Sequence, residues 1–278
     1  MSRVDLHVHS TASDGKYRPE DIVRKAADLN IEVLSITDHD STDGILPARQ
    51  AARAFPGLRF IPGVEISTDI PEGEAHILGY FVDYASYKFK AALKKFRESR
   101  VGRARGMITK LAGLGIDIDW RRVQEIAGDG AIGRPHIARA MLEKGYIKSF
   151  EEAFDKYIGH GCPAYVEREK MTPAEAVALV VRSRGVPVLA HPFTVGGDPE
   201  AMVIELKKAG LAGIEAYYKE NTGEQTAAML AMADKYGLIA TGGSDFHGIE
   251  DSRDAMMGSV DVPIEAAESL FELADRSR

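Results

Sequence analysis

The chain has 278 residues, of which 45% are hydrophobic and 28% charged, a balance typical of a soluble globular protein with one large domain or one domain that carries an insertion. No apolar run approaches membrane-spanning length, so we expect no membrane association. The single cysteine, Cys162, excludes an intramolecular disulfide and a zinc–thiolate cluster, and the first predicted strand leaves no room for a signal peptide, so we expect a cytoplasmic protein.

The net charge of −7 argues against a general nucleic-acid-coating protein, and we expect no stable nucleic-acid complex. The charge is uneven, because residues 91–170 hold 16 Lys and Arg against 11 Asp and Glu. An acidic body with a basic middle segment suits a cation site beside an anion-binding segment. The alternative is that these charges belong to ordinary solvated helix faces. The oligomeric state does not follow from the sequence.

Short apolar runs with strand character recur along the chain, and most of them end in a polar or potential metal-ligating residue. The predicted strands are Val4–His9, Val33–Thr37, Phe60–Ile66, Ala75–Phe81, Val186–Ala190, Gly213–Tyr217 and Leu238–Gly242. Helix signals lie between most of them, such as Pro19-Glu20-Asp21 and the capping box from Thr172 to Glu175. The alternation predicts an α/β fold with a parallel sheet, and seven strands favour a closed barrel. An open doubly wound sheet is the alternative, although no Gly-x-Gly-x-x-Gly follows the first strand.

The segment from about Ser99 to Tyr165 breaks this alternation. It contains helix-like stretches that glycines separate: Val101–Leu114, Arg121–Ala127, Pro135–Lys144 and Phe150–Tyr157. We predict a small helical domain, 99–165, inserted into a barrel formed by residues 1–98 and 166–278. The alternative is a set of elaborated barrel helices.

His7 and His9 lie two residues apart on the first predicted strand, so their side chains point to the same face. Two imidazoles on one rigid strand can form half of a divalent metal site, and Asp14 follows after a short polar loop. The alternative is two unrelated histidines, one of them satisfied in a core.

The positions of further histidines and acids favour the metal site, because they too lie on or just after predicted strands. The full set of candidate ligands is His7, His9, Asp14, His39, Glu65, His76, His191, Asp245 and His247. Nitrogen and oxygen ligands without sulfur suit Mn²⁺, Fe²⁺, Zn²⁺ or Mg²⁺. The set is too large for one ion, so we predict two or three divalent ions and favour Mn²⁺.

The motifs around these ligands resemble those of the polymerase and histidinol phosphatase (PHP) family over residues 1–85 and 170–250. They are His7-Val-His9, Thr37-Asp-His39-Asp, Gly63-Val-Glu65, His76, Ala190-His191-Pro and Ser244-Asp245-Phe-His247. The resemblance implies a distorted seven-stranded β/α barrel with a trinuclear metal centre. It also implies three ligand sets: His7, His9, Glu65 and Asp245; Glu65, His76 and His191; Asp14, His39 and His247.

Such a centre suits phosphoester hydrolysis. Closely spaced divalent ions activate a bridging water as hydroxide and neutralise phosphate oxygens, so no protein nucleophile is needed. The sequence agrees, because it has no Gly-x-Ser-x-Gly and no cysteine in a motif. His191 and Asp245 are candidates for proton transfer, and the sequence does not rank them. The role of Asp40, which follows His39 directly, is open.

Substrate choice is expected to come from the insertion. Gly133-Arg134-Pro135-His136 opens a predicted helix, and Arg134 offers a fork-shaped donor for a phosphate, with His136 as a second donor. The alternative is a surface arginine beside an ordinary helix start. Two further groups favour the structural interpretation: the basic residues Arg103, Arg105 and Lys110, and the aromatic residues Tyr146, Phe150, Phe154 and Tyr157.

The insertion also looks like that of one bacterial branch of the PHP family, whose members remove the 3′-phosphate from nucleoside 3′,5′-bisphosphates or degrade 5′-phosphorylated RNA in the 5′→3′ direction. The resemblance therefore implies a metal-dependent hydrolase, with a nucleotide or short RNA as substrate. Histidinol-phosphate phosphatase and metal-dependent amidohydrolase activities are the alternatives among enzymes. A structural metal-binding accessory domain is the non-enzymatic alternative.

Overall fold

The computed structural model describes residues 2–70, 73–127, 132–167, 171–195, 198–248 and 256–276. The chain forms two compact units, one of Met1–Leu93 with Met171–Arg278 and one of Lys94–Lys170. The predicted helical insertion, 99–165, lies inside the second unit.

The first unit contains a seven-stranded sheet whose strands are neighbours in chain order. The strands are β1 (Val4–Asp5), β2 (Val33–Ile36), β3 (Arg59–Ile70), β4 (Gly73–Tyr80), β5 (Val186–Leu189), β6 (Gly213–Tyr218) and β7 (Ile239–Gly243). The sheet closes between its first and last strands: the Leu6 N–H donates to the Gly242 carbonyl at 3.3 Å, and Val8 forms a parallel bridge with Phe246. The predicted α/β barrel of seven strands is therefore confirmed.

The direction of β4 differs from the all-parallel sheet that we predicted. β4 is antiparallel to both β3 and β5. The reason lies in the connection, because only two residues separate Ile70 from Gly73 and a parallel crossover needs a dozen or more. As a result, β4 begins at the edge of the sheet where its two antiparallel neighbours, β3 and β5, end. His76, near that beginning, thus reaches the same edge as the ligands that follow other strands.

Helices alternate with most of the strands and form the second unit. They are α1 (Pro19–Asp28), α2 (Ile45–Ala52), α3 (Tyr87–Gly113), α4 (Trp120–Ala127), α5 (Arg134–Glu143), α6 (Phe150–Ala153), α7 (Pro173–Arg182), α8 (Pro199–Ala209), α9 (Gly223–Tyr236) and α10 (Ile264–Arg276). The capping box at α7 is confirmed, because the Glu175 N–H donates to Thr172 Oγ1 and the Thr172 N–H donates to Glu175 Oε2. None of the helices in the described ranges combines the length and apolar character that crossing a membrane requires.

Two helix boundaries in the insertion were predicted wrongly. α3 begins at Tyr87 rather than Val101 and passes through Gly102, because an isolated glycine weakens a helix without ending it. The predicted helix Phe150–Tyr157 is instead α6 followed by a π-helical turn, Phe154–Ile158. Phe150, Phe154 and Tyr157 pack against the core of the second unit, as expected, whereas Tyr146 is 37% exposed.

The alternation of side chains after β1 places the histidines. Val8 is fully buried in a cluster with Ile22 and Val23 of α1. His7 and His9 point to the other face, and both are also fully buried. The apolar packing on one side thereby holds two imidazoles in place on the other.

We predict that Gly243→Ala destabilises the barrel at its closure. A Cβ at this position would lie 2.4 Å from the backbone nitrogen of His7, where neither strand can retreat without breaking the closing contacts. The free energy of unfolding should fall by about 3 kcal/mol, measured by urea denaturation of the metal-free protein. Gly57→Ala is the control, because nothing lies within 4 Å of its added carbon. Equal stability of the two variants would contradict the close approach.

Candidate metal centre

The carboxylate of Glu65 lies at the centre of the histidine cluster and is 1% exposed. Its Oε1 atom lies 2.7 Å from His76 Nδ1 and 3.1 Å from His191 Nε2. Its Oε2 atom lies 3.2 Å from a ring nitrogen of each of three further histidines: His7, His9 and His39. One carboxylate therefore faces imidazoles in two directions, as a bridging ligand between two ions must.

Two aspartates complete the cluster on either side of His9. Asp245 Oδ1 lies 3.2 Å from His9 Nε2 and 3.5 Å from His7 Nε2. Asp14 Oδ1 lies 3.5 Å from His247 Nε2, and Asp14 Oδ2 lies 3.8 Å from His39 Nε2. All nine ligand candidates from the sequence thus come together in the first unit.

Four overlapping groups of these side chains have ligand atoms close enough to hold an ion. They are His9, Asp14, His39 and His247; His7, Glu65 and His191; His7, His9 and Asp245; His39, Glu65 and His76. The ligand sets implied by the family resemblance divide the same side chains differently. In the structure, His76 and His191 fall into separate groups that share Glu65, and His39 belongs to two groups. The resemblance instead implies one set that contains both His76 and His191. Which ions each residue binds remains a prediction.

Burial and neighbouring charges move the pKa values of the cluster far apart. Burial disfavours the charged form of His9 and His76, but adjacent carboxylates outweigh it and raise the pKa of each imidazole to about 10. Burial alone would raise the pKa of Glu65, yet the surrounding imidazoles hold it well below its ordinary value. Burial lowers the pKa of His39 to about 3. Without metal, some imidazoles therefore carry the protons that balance the carboxylates.

The fit of a divalent ion is supported by one buried atom. His9 Nε2 is buried and, within the described ranges, has no hydrogen-bond partner, although two carboxylate oxygens lie 3.2 Å away. A buried ring nitrogen this close to two carboxylate oxygens, without a well-aligned hydrogen bond, is the arrangement that a divalent ion in place of the ring proton would satisfy. The His, Glu and Asp groups can therefore hold divalent metal ions.

Hydrogen bonds outside the cluster orient two of the imidazoles. His191 Nδ1 lies 2.8 Å from Thr194 Oγ1, and that hydroxyl donates to the His191 carbonyl, so the ring nitrogen is the donor. His247 Nδ1 donates to the Asp245 carbonyl at 3.0 Å. Both rings are thereby left with the Nε2 lone pair towards the carboxylates, which is the atom a metal would take.

Three residues of β6 and the turn after it contact the cluster, and none of them was predicted from the sequence. Glu215 Oε1 lies 2.9 Å from His7 Nδ1, and Glu215 Oε2 accepts from the His191 N–H at 2.8 Å. The Tyr218 hydroxyl donates to Asp245 Oδ2 at 3.0 Å, and Lys219 Nζ lies 3.1 Å from the same oxygen. A glutamate within the apolar run Gly213–Tyr217 was the one available signal.

Asp40, whose role the sequence left open, links the loop after β2 to β3 by two hydrogen bonds. Its Oδ1 atom accepts from the Ser67 N–H at 3.0 Å, and its backbone N–H donates to the Glu65 carbonyl at 2.8 Å. Its backbone lies in the left-handed region, with φ of 48°. Asp40 thus helps to place Glu65 from outside the ligand set.

Arg134 and His136 lie at the start of α5 in the second unit. The Gly133 N–H donates to His136 Nδ1 at 2.9 Å, so the neutral imidazole carries its proton on Nε2. The Arg134 guanidinium lies 5.5 Å from the centroid of the Phe154 ring. The part of both residues in substrate binding remains a prediction.

The other basic residues considered in the insertion, Arg103, Arg105 and Lys110, have structural contacts in the second unit. Lys110 Nζ donates to the Tyr165 carbonyl at 2.6 Å, Arg105 lies over the Trp120 ring, and Arg103 is buried. These contacts favour the structural interpretation of all three residues.

We predict that Mn²⁺ binding to the metal-free protein releases protons and becomes tighter as the pH rises. His9 and His76, with pKa values of about 10, hold protons at neutral pH, and an ion must displace them to reach the nitrogen lone pairs. Isothermal titration calorimetry in buffers of different ionisation enthalpy measures the number of protons released. Binding with no buffer dependence, and with equal affinity at pH 6 and pH 8, would contradict this charge balance.

Comparison with known proteins places the chain among metal-dependent enzymes. A family model described as "PHP domain" matches residues 5–160. A 3′,5′-nucleoside bisphosphate phosphatase from Chromobacterium violaceum is 34% identical over 256 residues, which cover 89% of this chain and 88% of the relative. The 5′-3′ exoribonuclease Rnm from Escherichia coli is 34% identical over 256 residues, which cover 87% of this chain and 84% of the relative.

A solved structure agrees in fold along the whole chain. It is that of an amidohydrolase from Chromobacterium violaceum with bound sulfate and no metal, 32% identical, with a TM-score of 0.84 and coverage of 98% of this chain and 97% of that chain. Because the family model spans more than half of the residues and the relatives align over most of their length, the chain belongs to the PHP family and is a metal-dependent phosphoesterase.

Proposed function

We propose that this enzyme hydrolyses the 3′-phosphate of nucleoside 3′,5′-bisphosphates and acts on short 5′-phosphorylated RNA in the 5′→3′ direction. The observation that carries the proposal is the Glu65 carboxylate with imidazoles on both oxygens, because ions that share a carboxylate suit phosphoester cleavage. The substrate class is supported by the two relatives, which bear these two names at equal identity.

The proposed chemistry rests on ligands supplied by this chain. Divalent ions bound there would supply Lewis acidity and an activated water. The chain's own part is to hold the ligand atoms rigid, through buried strands and the hydrogen bonds around His191 and His247. We keep His191 and Asp245 as candidates for proton transfer. Asp245 has one oxygen towards the cluster and the other towards Tyr218 and Lys219, which gives it two distinct faces.

We propose that Arg134 and His136 bind the phosphate that does not react. A bisphosphate and a 5′-phosphorylated RNA share a 5′-phosphate, so one anchor would serve both activities. A guanidinium is suited to a phosphate because it donates two parallel hydrogen bonds. His136 adds a donor at Nε2, since Nδ1 accepts from Gly133.

Manganese as the resident ion and a cytoplasmic location stay predictions.

The second candidate function is amide hydrolysis, which the amidohydrolase of similar fold favours. Histidinol-phosphate phosphatase remains an alternative, and it would need a site for an amino-alcohol cation. The accessory-domain alternative is not supported, because the two relatives are enzymes and this chain aligns with most of the length of each.

We predict that, with Mn²⁺, adenosine 3′,5′-bisphosphate is hydrolysed with a kcat/KM about 10- to 100-fold above that of the 2′- or 5′-monophosphate, the range expected for hydrogen bonds to a charged group. Release of inorganic phosphate measures each rate, and histidinol phosphate and a lactam complete the panel. Equal rates on all nucleotides would reject the 5′-phosphate anchor. Turnover of the lactam alone would favour the amidohydrolase.

We predict that Arg134→Ala raises KM about 10- to 100-fold and leaves kcat nearly unchanged, because the anchor binds ground and transition states alike. Arg139→Ala is the matched control on the same helix, where the guanidinium lies over Phe150. Equal kinetics of the two arginine variants would remove Arg134 from substrate binding.

His39→Ala should abolish turnover, and His160→Ala, at a histidine in the second unit, should not.

A further inference from the structure

Glu215 is a buried carboxylate that contacts two members of the cluster without joining any group of candidate ligands. It lies on β6, and both Glu215 and His7 are fully buried. Its Oε1 atom lies 2.9 Å from His7 Nδ1, and its Oε2 atom accepts from the backbone N–H of His191 at 2.8 Å. A buried carboxylate is costly unless both oxygens are used, and here one oxygen contacts the segment after β1 and the other the segment after β5.

The first contact sets where the proton lies on His7. A carboxylate oxygen only accepts, so the Nδ1 atom must carry the hydrogen. In the neutral ring this leaves the lone pair on Nε2, which lies 3.2 Å from Glu65 Oε2 and 3.5 Å from Asp245 Oδ1. Glu215 thereby makes His7 a ligand through the atom that faces the cluster.

The second contact holds the backbone of His191 in an uncommon conformation. The φ angle of His191 is 25°, which an L-residue other than glycine rarely adopts without support. The bond to Glu215 Oε2 fixes the peptide N–H, and Thr194 fixes the ring, so that Nε2 lies 3.1 Å from Glu65 Oε1.

We infer that Glu215 is a positioning residue for the metal centre. It holds the ligand nitrogens of His7 and His191 towards the two oxygens of Glu65, and it binds no ion itself. The group His7, Glu65 and His191 depends on it directly, whereas the group Asp14, His39 and His247 with His9 does not contact it through any bond described above. The inference rests on the metal dependence of the proposed function and not on the proposed substrate.

Glu215→Gln tests this role with a change of nearly equal shape. The amide has one accepting oxygen and one donating NH₂ group, but the two neighbours both donate. The His191 backbone N–H cannot reverse, so the amide oxygen should turn towards it and the NH₂ group towards His7. The neutral His7 ring must then accept at Nδ1 and carry its hydrogen on Nε2, which blocks the ligand lone pair.

The number and affinity of bound ions are the first readout. Mn²⁺ titration with mass-spectrometric metal analysis should show that Glu215→Gln loses ions at the His7 and His191 positions, with affinity about 10- to 100-fold weaker. The ion at Asp14, His39 and His247 should stay bound with unchanged affinity. Unchanged ion number and affinity in the variant would overturn the inference, as would equal weakening of all ions.

Asp5→Asn is the control for removing a buried charge. Asp5 is 1% exposed and accepts from the backbone and hydroxyl of Ser244, from the Gly258 N–H and, at 3.4 Å, from the backbone N–H of His7. None of these donors is an imidazole, so Asp5→Asn leaves the position of the ring hydrogen of His7 unaffected. It should lower the unfolding temperature and keep the full number of ions. Loss of the same ions in this control would assign the effect to general loosening and overturn the inference.

A second measurement is made on the wild-type protein and needs no change at Glu215. Long-range ¹⁵N–¹H spectra of the ¹⁵N-histidine-labelled wild-type protein loaded with Zn²⁺, a diamagnetic probe, should show the His7 hydrogen on Nδ1, assigned by its loss in His7→Asn. A hydrogen on Nε2 would overturn the inference. Failure to hydrolyse bisphosphates would reject only the proposed substrate, since neither readout involves one.

Discussion

The structure depends on one buried negative charge, the carboxylate of Glu65, and on the five imidazoles that surround it. In a low-dielectric interior, a carboxylate must be matched by cations at close range. Protons on the imidazoles can supply that charge, and so can divalent ions. With divalent ions, the imidazole nitrogens that face Glu65 would act as ligands instead of carrying protons. The geometry that stabilises the buried charge is therefore also suited to binding metal.

The barrel brings this arrangement about because the ligands lie on, or just after, six of its seven strands. The reversal of β4 is essential to it. Glu65 pairs with Leu78 across the β3–β4 hairpin, and Ser67 pairs with His76, so Glu65 and His76 are diagonal neighbours on one face. A parallel β4 would pair other residues with Glu65, and His76 would lose this diagonal position. The two-residue connection that forbids a crossover therefore decides whether this histidine reaches the cluster.

A layer of polar side chains around the ligands limits their freedom. Thr194 and Glu215 act on His191, while Tyr218 and Lys219 occupy the second oxygen of Asp245. His191 and Asp245 both have positive φ, at 25° and 51°. Strain at such positions persists only where neighbouring bonds enforce it, so the surrounding contacts stabilise a geometry that the local backbone disfavours. Rigid ligand placement is what metal-assisted phosphoester cleavage requires.

The sequence by itself determined the barrel, the ligand chemistry and the identity of the clustered residues, because strand periodicity and the position of histidines after strands are local properties. The capping box at Thr172 was local in the same way. Only the tertiary structure decided the direction of β4, the grouping of ligands around Glu65 and the contacts of Glu215. These depend on which strands become neighbours, and a one-dimensional pattern shows the face on which a residue lies but not the partner across the barrel. In the sequence, Glu215 is one charge in an apolar strand, and its role follows only from its contacts with His7 and His191, which are distant in sequence.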